Sequence, residues 1–322
     1  HQLRGMDLCL SSEAVGLFFD MGCGKSKTAI DALSVLNPPA RMTLVVCPKS
    51  VVPVWPSEFN KHNPGRFNVV PLTKAGTKAK LEQAKHDGAA RFLPQVFVVN
   101  YESVWREPLA SWIASEKWDV VIADEAHRLK DPKGKLGKWA GTAYQWSARR
   151  WALTGTPTPH SPADLFSLYR FLDPGLLGSS FVRFKQKYAI MGGYGGKEIV
   201  DWQNYEELTR VVYSVAIGVR KQDVLELPEA LHQRIEVALE PKARKIYDKL
   251  ADTMQADIEE GTITTKNALT RLLRLQQITG GWATPDAQDP DNPDEKPDPV
   301  RVSTAKQEAL GEIMDGIGAP EP

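Results

Sequence analysis

The sequence predicts an α/β fold in which helices pack on both faces of a mostly parallel sheet. In the first half of the chain, short apolar runs such as TLVV, VFVV and VVIA alternate with helical stretches, which is typical of repeated strand-helix-strand units. Strands that are buried on both faces give such continuous apolar runs. The predicted strands cover residues 15–19, 43–46, 96–99, 120–123 and 151–153, and residues 1–172 are predicted to form one α/β lobe.

Size and composition narrow the possible classes of protein. A length of 322 residues allows two domains or one large domain with an insertion, and a hydrophobic content of 42% is that of a globular protein. Forty basic residues balance forty acidic ones, so any surface that binds nucleic acid must be local. Cys9, Cys23 and Cys47 indicate neither a disulfide framework nor a zinc site, which favours a cytoplasmic location. No apolar run reaches the roughly 18 residues of a membrane span, so no membrane contact is expected.

The second half has a different pattern. Residues 173–283 are predicted to be a mainly helical insertion, with helices over 241–260 and from 265 to the glycine pair at 280–281. Asn204, followed three residues later by Glu207, predicts a helix start of the capping-box type. The helices in this segment follow one another without the strand runs of the first half.

The C-terminal part is predicted to begin with a linker. Residues 285–300 contain five prolines and six acidic residues against one lysine, so 284–303 is predicted to be a solvated acidic linker. Thr304 and Gln307 then predict the capped start of an amphipathic helix within 304–322, the beginning of a further domain. Because the sequence opens on His1 rather than Met, we expect it to be a fragment of a longer protein.

A glycine-rich turn lies between the first predicted strand and the first long helix. Glycines allow backbone N–H groups to surround a phosphate, and the positive end of the helix behind them adds attraction. Lys25 is predicted to reach the β- and γ-phosphates of a nucleotide, and the Ser26 hydroxyl to bind Mg²⁺. Phe19 stands where the strict phosphate-loop pattern has its first glycine, so a chance tight turn is the alternative. The predicted nucleotide-binding residues are Met21, Gly22, Cys23, Gly24, Lys25, Ser26 and Lys27.

An acidic pair follows the strand predicted at 120–123. Carboxylates at the carboxyl end of a parallel strand lie where such sheets bind ligands. Asp124 is therefore predicted to bind Mg²⁺, and Glu125 to orient and deprotonate an attacking water. His127 is either a polar residue at a helix start or a group that couples the nucleotide to other parts of the molecule.

Taken in order, these motifs resemble those of superfamily-two helicases and translocases. The Swi/Snf-like branch is the most similar, because 124–130 (DEAHRLK), 153–157 (LTGTP) and 165–174 (LFSLYRFLDP) all match its wording. The sequence as a whole is most similar to phage or bacterial members of this branch. The resemblance implies a RecA-like lobe that binds ATP and Mg²⁺, a helical protrusion over 173–283, and the start of a truncated second RecA-like lobe at 304–322.

The same resemblance implies roles for residues outside the two central motifs. Gln2 resembles the glutamine that reads adenine, and His127, Thr154 and Thr156 would couple the lobes. Lys49, Ser50, Tyr101 and Lys130 would contact DNA, with duplex DNA as the expected partner. Basic runs at 61–91 and 128–151, each with seven Lys or Arg, could add phosphate contacts or be ordinary solvated helix faces.

The function implied is that of an ATP-dependent DNA translocase or helicase motor, with catalysis assigned to Lys25, Asp124 and Glu125. The arginine fingers of this branch lie in the second lobe, so the chain alone is expected to hydrolyse ATP poorly. Three alternatives remain at the level of sequence: a nucleotide-gated nucleic-acid-binding module without hydrolysis, an RNA or restriction-type helicase, and a small-molecule kinase. The sequence does not indicate an oligomeric state.

Overall fold

The computed structural model describes residues 1–88, 92–158, 161–196, 198–225, 233–253, 255–258, 261–264, 268–286 and 298–317. The chain divides into two compact units, residues 1–228 and 229–322. In the described ranges no helix combines the length and the apolar character that crossing a membrane requires.

The first unit is built on a seven-stranded sheet in the order β3-β4-β2-β5-β6-β1-β9, and every neighbouring pair is parallel. The five strands predicted from apolar runs are all present, as β1, β2, β4, β5 and β6. A separate antiparallel hairpin is formed by β7 and β8. The strands are β1 (Ala14–Phe19), β2 (Met42–Cys47), β3 (Asn68–Pro71), β4 (Gln95–Asn100), β5 (Trp118–Asp124), β6 (Ser147–Leu153), β7 (Ala189–Gly192), β8 (Glu198–Trp202) and β9 (Ala216–Val219).

The sheet is covered on both faces, as the sequence predicts. Successive residues of a strand point to opposite faces, and Val98 and Val99 of β4 accordingly lie in two different hydrophobic clusters. The helices that supply these clusters are α1 (Gln2–Ser11), α2 (Lys25–Val35), α3 (Trp55–His62), α4 (Thr77–Asp87), α5 (Leu109–Ser115), α6 (Lys135–Ala140), α7 (Ala163–Leu172), α8 (Pro174–Leu177), α9 (Phe181–Tyr188) and α10 (Tyr205–Tyr213), and the short α11 (Lys221–Val224) follows β9.

The structure extends the α/β unit beyond the predicted boundary at residue 172. Strand β9 pairs with β1 at the edge of the sheet, so the unit continues to residue 228. The sequence AIGV of β9 is only four residues long and contains a glycine, which explains why it gives no strand signal. The segment predicted as mainly helical also contains the β7–β8 hairpin.

The helix predicted after Asn204 begins at Tyr205, but Asn204 does not cap it as a capping box would. Its φ is +56°, and its side-chain amide donates to the carbonyl of Lys187 at 2.7 Å. The carboxylate of Glu207, the other residue of the predicted capping box, forms an ion pair with Nζ of Lys187 at 2.6 Å. The two polar side chains therefore tie α10 to the end of α9.

The second unit has a small core of its own, formed by Ala243, Ile246, Leu250, Ile263, Ile278, Ala283 and Val302. Helix α12 ends at Thr253, earlier than the predicted residue 260, because the β10–β11 hairpin follows it. The helix predicted after Thr304 is present as α14. Most of the predicted linker, 287–297, and the end of the chain, 318–322, lie outside the described residues. The elements are α12 (Pro241–Thr253), β10 (Gln255–Ile258), β11 (Gly261–Thr264), α13 (Ala268–Thr279), β12 (Trp282–Ala283), β13 (Val300–Arg301) and α14 (Ala305–Ile317).

Candidate nucleotide site and nucleic-acid groove

The predicted phosphate loop connects β1 to α2. Gly22 and Gly24 both have a φ of +85°, a conformation that favours glycine, and α2 begins directly after Gly24. A Cβ atom at Gly24 would also clash with the side-chain amide nitrogen of Gln2. The loop therefore has the geometry of an anion cradle in front of a helix N-terminus. Met21 is exposed, whereas the side chain of Cys23 is buried.

Lys25 folds back over this loop. Its Nζ atom donates to the carbonyl oxygens of Phe19 at 2.7 Å and Asp20 at 3.3 Å. Phe19 can replace the expected glycine because its side chain is fully buried and only its carbonyl meets the lysine. Ser26 is half-buried beside Lys25, while Lys27 forms an ion pair with Asp31 one helical turn further on.

Helix α1 lies against the same loop. The Nε2 atom of His1 is 2.9 Å from the carbonyl oxygen of Cys23, and Gln2 lies beside Gly24. At the other end of α1, the guanidinium of Arg149 donates to the carbonyl oxygens of Cys9, Leu10 and Ser12 at 3.0 to 3.4 Å. Arg149, which sequence reasoning did not single out for this role, thus fixes the helix that carries Gln2.

The acidic pair lies at the same edge of the sheet as the phosphate loop. Asp124 of β5 pairs with Leu153 of β6, which pairs with Leu17 of β1. Two strand spacings, about 10 Å, therefore separate the carboxyl ends of β5 and β1. Lys25 is close enough to lower the pKa of Asp124, although other effects on that group are larger. The two motifs therefore lie at one edge of the sheet, with β6 between their strands.

Asp124 is held in a largely buried environment, with 7% of its surface exposed. Burial, together with repulsion from Glu125, raises the pKa of Asp124 to about 6. Its carboxylate accepts hydrogen bonds from Trp55 Nε1 at 3.2 Å and from the Glu125 backbone N–H at 3.0 Å. The hydroxyl of Tyr101 donates to the Asp124 carbonyl at 2.7 Å. These contacts fix the end of β5 from both its side chain and its backbone.

Glu125 has a φ of +52°, which is uncommon for a residue with a side chain and typically costs about 1–3 kcal/mol. Its carboxylate lies 3.3 Å from Nδ1 of His127. The same Nδ1 lies 3.1 Å from the hydroxyl of Thr154, which in turn accepts from the Thr156 backbone N–H at 3.2 Å. The three residues predicted to couple the lobes therefore form one connected group that ends at Glu125.

The oxygen donors at this edge fit a magnesium ion that arrives with a nucleotide. Mg²⁺ is usually bound by one or two carboxylates or hydroxyls together with substrate phosphates and several waters. Ser26 and Asp124 supply one hydroxyl and one carboxylate. Within the described ranges, no group of three or more His, Cys, Asp or Glu residues could hold a metal ion.

A broad groove runs along the carboxyl edge of the sheet beyond β2, β3 and β4. We call it the main groove; its lining includes Lys49, Ser50, Lys74, Thr77, Asn100, Glu102, Arg106 and Arg128. Lys49 and Ser50, two of the predicted DNA contacts, are exposed here. Burial, reinforced by Lys49, lowers the pKa of Lys80 in the groove wall. The groove is therefore rich in cations and hydrogen-bond donors.

Two of the residues predicted to contact DNA, Tyr101 and Lys130, do not line the main groove. Tyr101 is 1% exposed, and its hydroxyl donates a hydrogen bond to the carbonyl of Asp124. Its side chain therefore cannot touch a DNA strand. Lys130 is half-buried, and it is Arg128, two residues earlier, that lines the main groove. Arg128 pairs with Glu102 at 3.2 Å and lies 5.8 Å from the centre of the Tyr101 ring. Tyr101 and Arg128 together connect the groove to the acidic pair.

Most of the chain matches one protein-family model. The model of the SNF2-related domain matches residues 1–280. The chain belongs to the SNF2-related domain family. The predicted resemblance to the Swi/Snf-like branch is thereby confirmed.

Relatives of this SNF2-related domain come from phages and eukaryotes. Protein p41 of the Acyrthosiphon pisum secondary endosymbiont phage 1 is 28% identical over 281 residues, which cover 81% of this chain and 58% of that protein. The chromatin structure-remodeling complex subunit snf21 of Schizosaccharomyces pombe is 27% identical, covering 86% and 24% of the two chains. The human helicase-like transcription factor is 30% identical, covering 74% and 24%. The chain thus spans about a quarter to just over half of these relatives.

Solved structures support the fold of the SNF2-related domain. The Sulfolobus solfataricus SWI2/SNF2 ATPase core in complex with dsDNA has a TM-score of 0.58 and 24% identity, covering 98% of this chain and 63% of that chain. The ATPase core domain from the same organism has a TM-score of 0.51 and 25% identity, covering 86% and 55%. The predicted α/β fold class is confirmed by these matches.

Proposed function

We propose that this SNF2-related domain is the ATP-binding motor lobe of an ATP-dependent DNA translocase. The observation that carries the proposal is the convergence of the glycine loop and the Asp124-Glu125 pair at one edge of a parallel sheet, two strands apart. A single nucleotide triphosphate would contact both. The family membership and the names of several relatives, which include ATP-dependent DNA helicases, support the same activity.

In this proposal the loop residues bind the nucleotide. The backbone N–H groups of residues 21 to 27 surround the phosphates, with the glycines giving access and the α2 N-terminus adding positive potential. Lys25 exchanges its contacts with the carbonyls of Phe19 and Asp20 for the terminal phosphates. Gln2, at the start of α1 beside Gly24, would read the adenine base.

Ser26 and Asp124 would hold a magnesium ion, which when bound neutralises phosphate charge. Asp124 must be ionised for this role, and Lys25 lowers its pKa while burial raises it. Glu125 would orient the attacking water and accept its proton. Glu125 has a positive φ, and its carboxylate lies 3.3 Å from Nδ1 of His127, which would help to position it.

The main groove would bind the DNA backbone. Its exposed Lys49 and Ser50 and its Arg128 and Arg106 offer contacts to phosphates, which carry no sequence information and so suit a protein that moves along DNA. Duplex DNA is favoured because a structural relative was solved with dsDNA. His127, Thr154 and Thr156 would transmit the state of the nucleotide, since their hydrogen-bonded group ends at Glu125.

Efficient hydrolysis would require a second RecA-like lobe. An arginine finger in related phosphoryl transfer is worth about 10³ to 10⁵ in rate, and we propose that it comes from sequence beyond α14. The segments 173–283 and 304–322 would then be the helical protrusion and the start of that lobe. The phage relative favours a setting in the cytoplasm of a bacterial host.

The decisive experiment measures ATP hydrolysis by the longest natural form of the protein, with and without duplex DNA. We expect duplex DNA to stimulate hydrolysis, and Glu125→Gln to abolish it while ATP binding persists. If Glu125→Gln left turnover unchanged, the assignment of the water-activating residue would be wrong. If single strands or RNA stimulated and duplex DNA did not, the proposed substrate would be wrong.

A further inference from the structure

A second groove lies beside the main groove, between the start of α5 and the start of α6. We call it the lateral groove; the residues on which the argument depends are Trp105, Arg106, Glu107, Lys135 and Lys138. Trp105 to Glu107 follow the carboxyl end of β4, and the two lysines lie on α6, which follows β5. Both segments therefore leave the sheet at the same edge that carries the main groove.

Cations in the lateral groove are held in place by one indole. The guanidinium carbon of Arg106 lies 4.8 Å from the centre of the Trp105 ring, and Nζ of Lys135 lies 4.7 Å from it. Such cation–π contacts fix the position of a cation and leave its N–H groups able to donate. Trp105 is half-buried, whereas both cations are exposed. The indole thus serves as a platform that presents two positive charges to solvent.

The charge of the lateral groove is unbalanced. Arg106, Lys135 and Lys138 contribute three positive charges, and Glu107 contributes one negative charge. The Glu107 carboxylate accepts from the Ser111 backbone N–H at 3.2 Å, at the start of α5. This leaves a cationic surface that is complementary to a polyanion.

The two grooves are continuous. Arg106 lines both of them, and its backbone N–H is bonded to the carbonyl of Ser103, another residue of the main groove, at 3.1 Å. Cations therefore follow the ends of three neighbouring strands at this edge of the sheet, with Arg106 after β4, Lys49 after β2 and Lys138 on the helix after β5.

We propose that the lateral groove binds the backbone phosphates of the DNA that occupies the main groove, with Lys135 and Lys138 as its phosphate ligands. The proposal rests on the proposed function and lengthens the DNA footprint by contacts outside the motifs of the family. Because the ligands are lysines that meet phosphates, the added binding is independent of sequence and sensitive to salt.

The test compares the double variant Lys135→Ala/Lys138→Ala with the unsubstituted protein. Fluorescence anisotropy with a labelled duplex, measured over a series of salt concentrations, gives the slope of log K against log salt. Each phosphate contact contributes about 0.9 to that slope, so we expect its magnitude to fall by about 1.8 and the affinity at low salt to drop. The affinity for a fluorescent ATP analogue should be unchanged, which shows that the variant is folded.

Lys117→Ala is the matched control, because Lys117 is exposed and directly precedes β5 at the opposite edge of the sheet. It should leave the salt slope unchanged. Lys49→Ala, in the main groove, separates this inference from the proposed function. If Lys49→Ala weakens DNA binding and the double variant keeps the original slope, the lateral groove is not a DNA surface. If the unsubstituted protein does not bind duplex DNA, the proposed function itself fails.

Discussion

Arg149 Nη1 donates a hydrogen bond to the carbonyl oxygen of Ser12 at 3.0 Å, and thereby joins strand β6 to the end of helix α1. The carbonyls at the end of a helix have no partner within the helix, and α1 has no basic residue in its last turn. Arg149 meets that need from a position far along the chain. Because the opposite end of α1 touches the phosphate loop, this contact influences the nucleotide site.

Arg149→Ala is expected to lower the free energy of unfolding by about 1–3 kcal/mol, since charge-assisted hydrogen bonds to three carbonyls are lost. It should also weaken binding of an ATP analogue, because Gln2 and His1 are no longer held against the loop. Chemical denaturation and fluorescence titration measure the two effects. Arg4→Ala, at an exposed position of α1, is the control. Unaltered affinity in the Arg149 variant would show that α1 is positioned without it.

Lys25→Ala is expected to abolish detectable binding of ATP analogues. The lysine is the cation placed within the loop, where it now contacts the carbonyls of Phe19 and Asp20. Its removal deletes the charge that would balance the terminal phosphates. Isothermal titration with ATP measures the effect, and Lys61→Ala, on the exposed side of α3, is the control. Undiminished affinity would refute the assignment of this loop.

Asp124 should make the stability of the protein depend on pH between about 4 and 6. The pKa of Asp124 is about 6 in the folded protein, whereas the ordinary value for aspartate, which applies to the unfolded chain, is 3.8. The folded state therefore binds the proton more tightly than the unfolded state. The associated stabilisation is present below about pH 4 and is lost as the pH rises through 6.

This dependence is measured against Asp124→Asn by chemical denaturation at pH 4 and pH 7. On lowering the pH, the unsubstituted protein should gain about 1–3 kcal/mol relative to the variant. A difference between the two proteins that is constant with pH would mean that Asp124 titrates normally in the folded state.

Tyr101→Phe tests whether this residue acts on DNA directly. The structure buries Tyr101 beneath the groove, so the variant should bind duplex DNA with nearly unchanged affinity. It should lose about 1 kcal/mol of stability, because the Asp124 carbonyl loses its partner. Anisotropy and denaturation measure the two quantities. A large loss of DNA affinity at constant stability would restore the direct contact predicted from the motif.

Thr154→Val tests the group that connects the acidic pair to the LTGTP segment. Valine has nearly the same shape but can bond neither His127 nor the Thr156 backbone. In the longest natural form of the protein, we expect DNA stimulation of ATP hydrolysis to fall while nucleotide affinity is retained. Thr209→Val, at an exposed position of α10 outside both grooves, is the control. Full stimulation in the Thr154 variant would remove this group from the coupling route.

Several features of the fold and the site could be predicted because they depend on local pattern. The central strands are continuous apolar runs, and parallel strands place the residues that follow Phe19 and Ala123 at one edge. Strand β3 escaped prediction because its sequence NVVP is short, half-buried and ends in proline. Strand β9 is recognisable only by its pairing with β1.

Contacts between distant parts of the chain could not be predicted. Arg149 forms hydrogen bonds with residues that lie 137 to 140 positions earlier in the chain, and no local sequence pattern predicts such contacts. The burial of Tyr101 depends on the placement of β4 and β5 on either side of β2, which brings the end of β5 within reach of its side chain. The motif correctly predicted that the segment around Tyr101 borders the main groove, but the side chain of Tyr101 is buried and not accessible to DNA.

Strand β1, which leads into the glycine loop, is flanked by β6 on one side and β9 on the other. The chain leaves β6 through Thr154, passes through α7 to α10 and the β7–β8 hairpin, and re-enters the sheet as β9. The segment between β6 and β9, residues 154–215, therefore begins and ends at the two strands that flank β1. This segment is therefore connected to both neighbours of β1, the strand that leads into the turn proposed to hold the triphosphate.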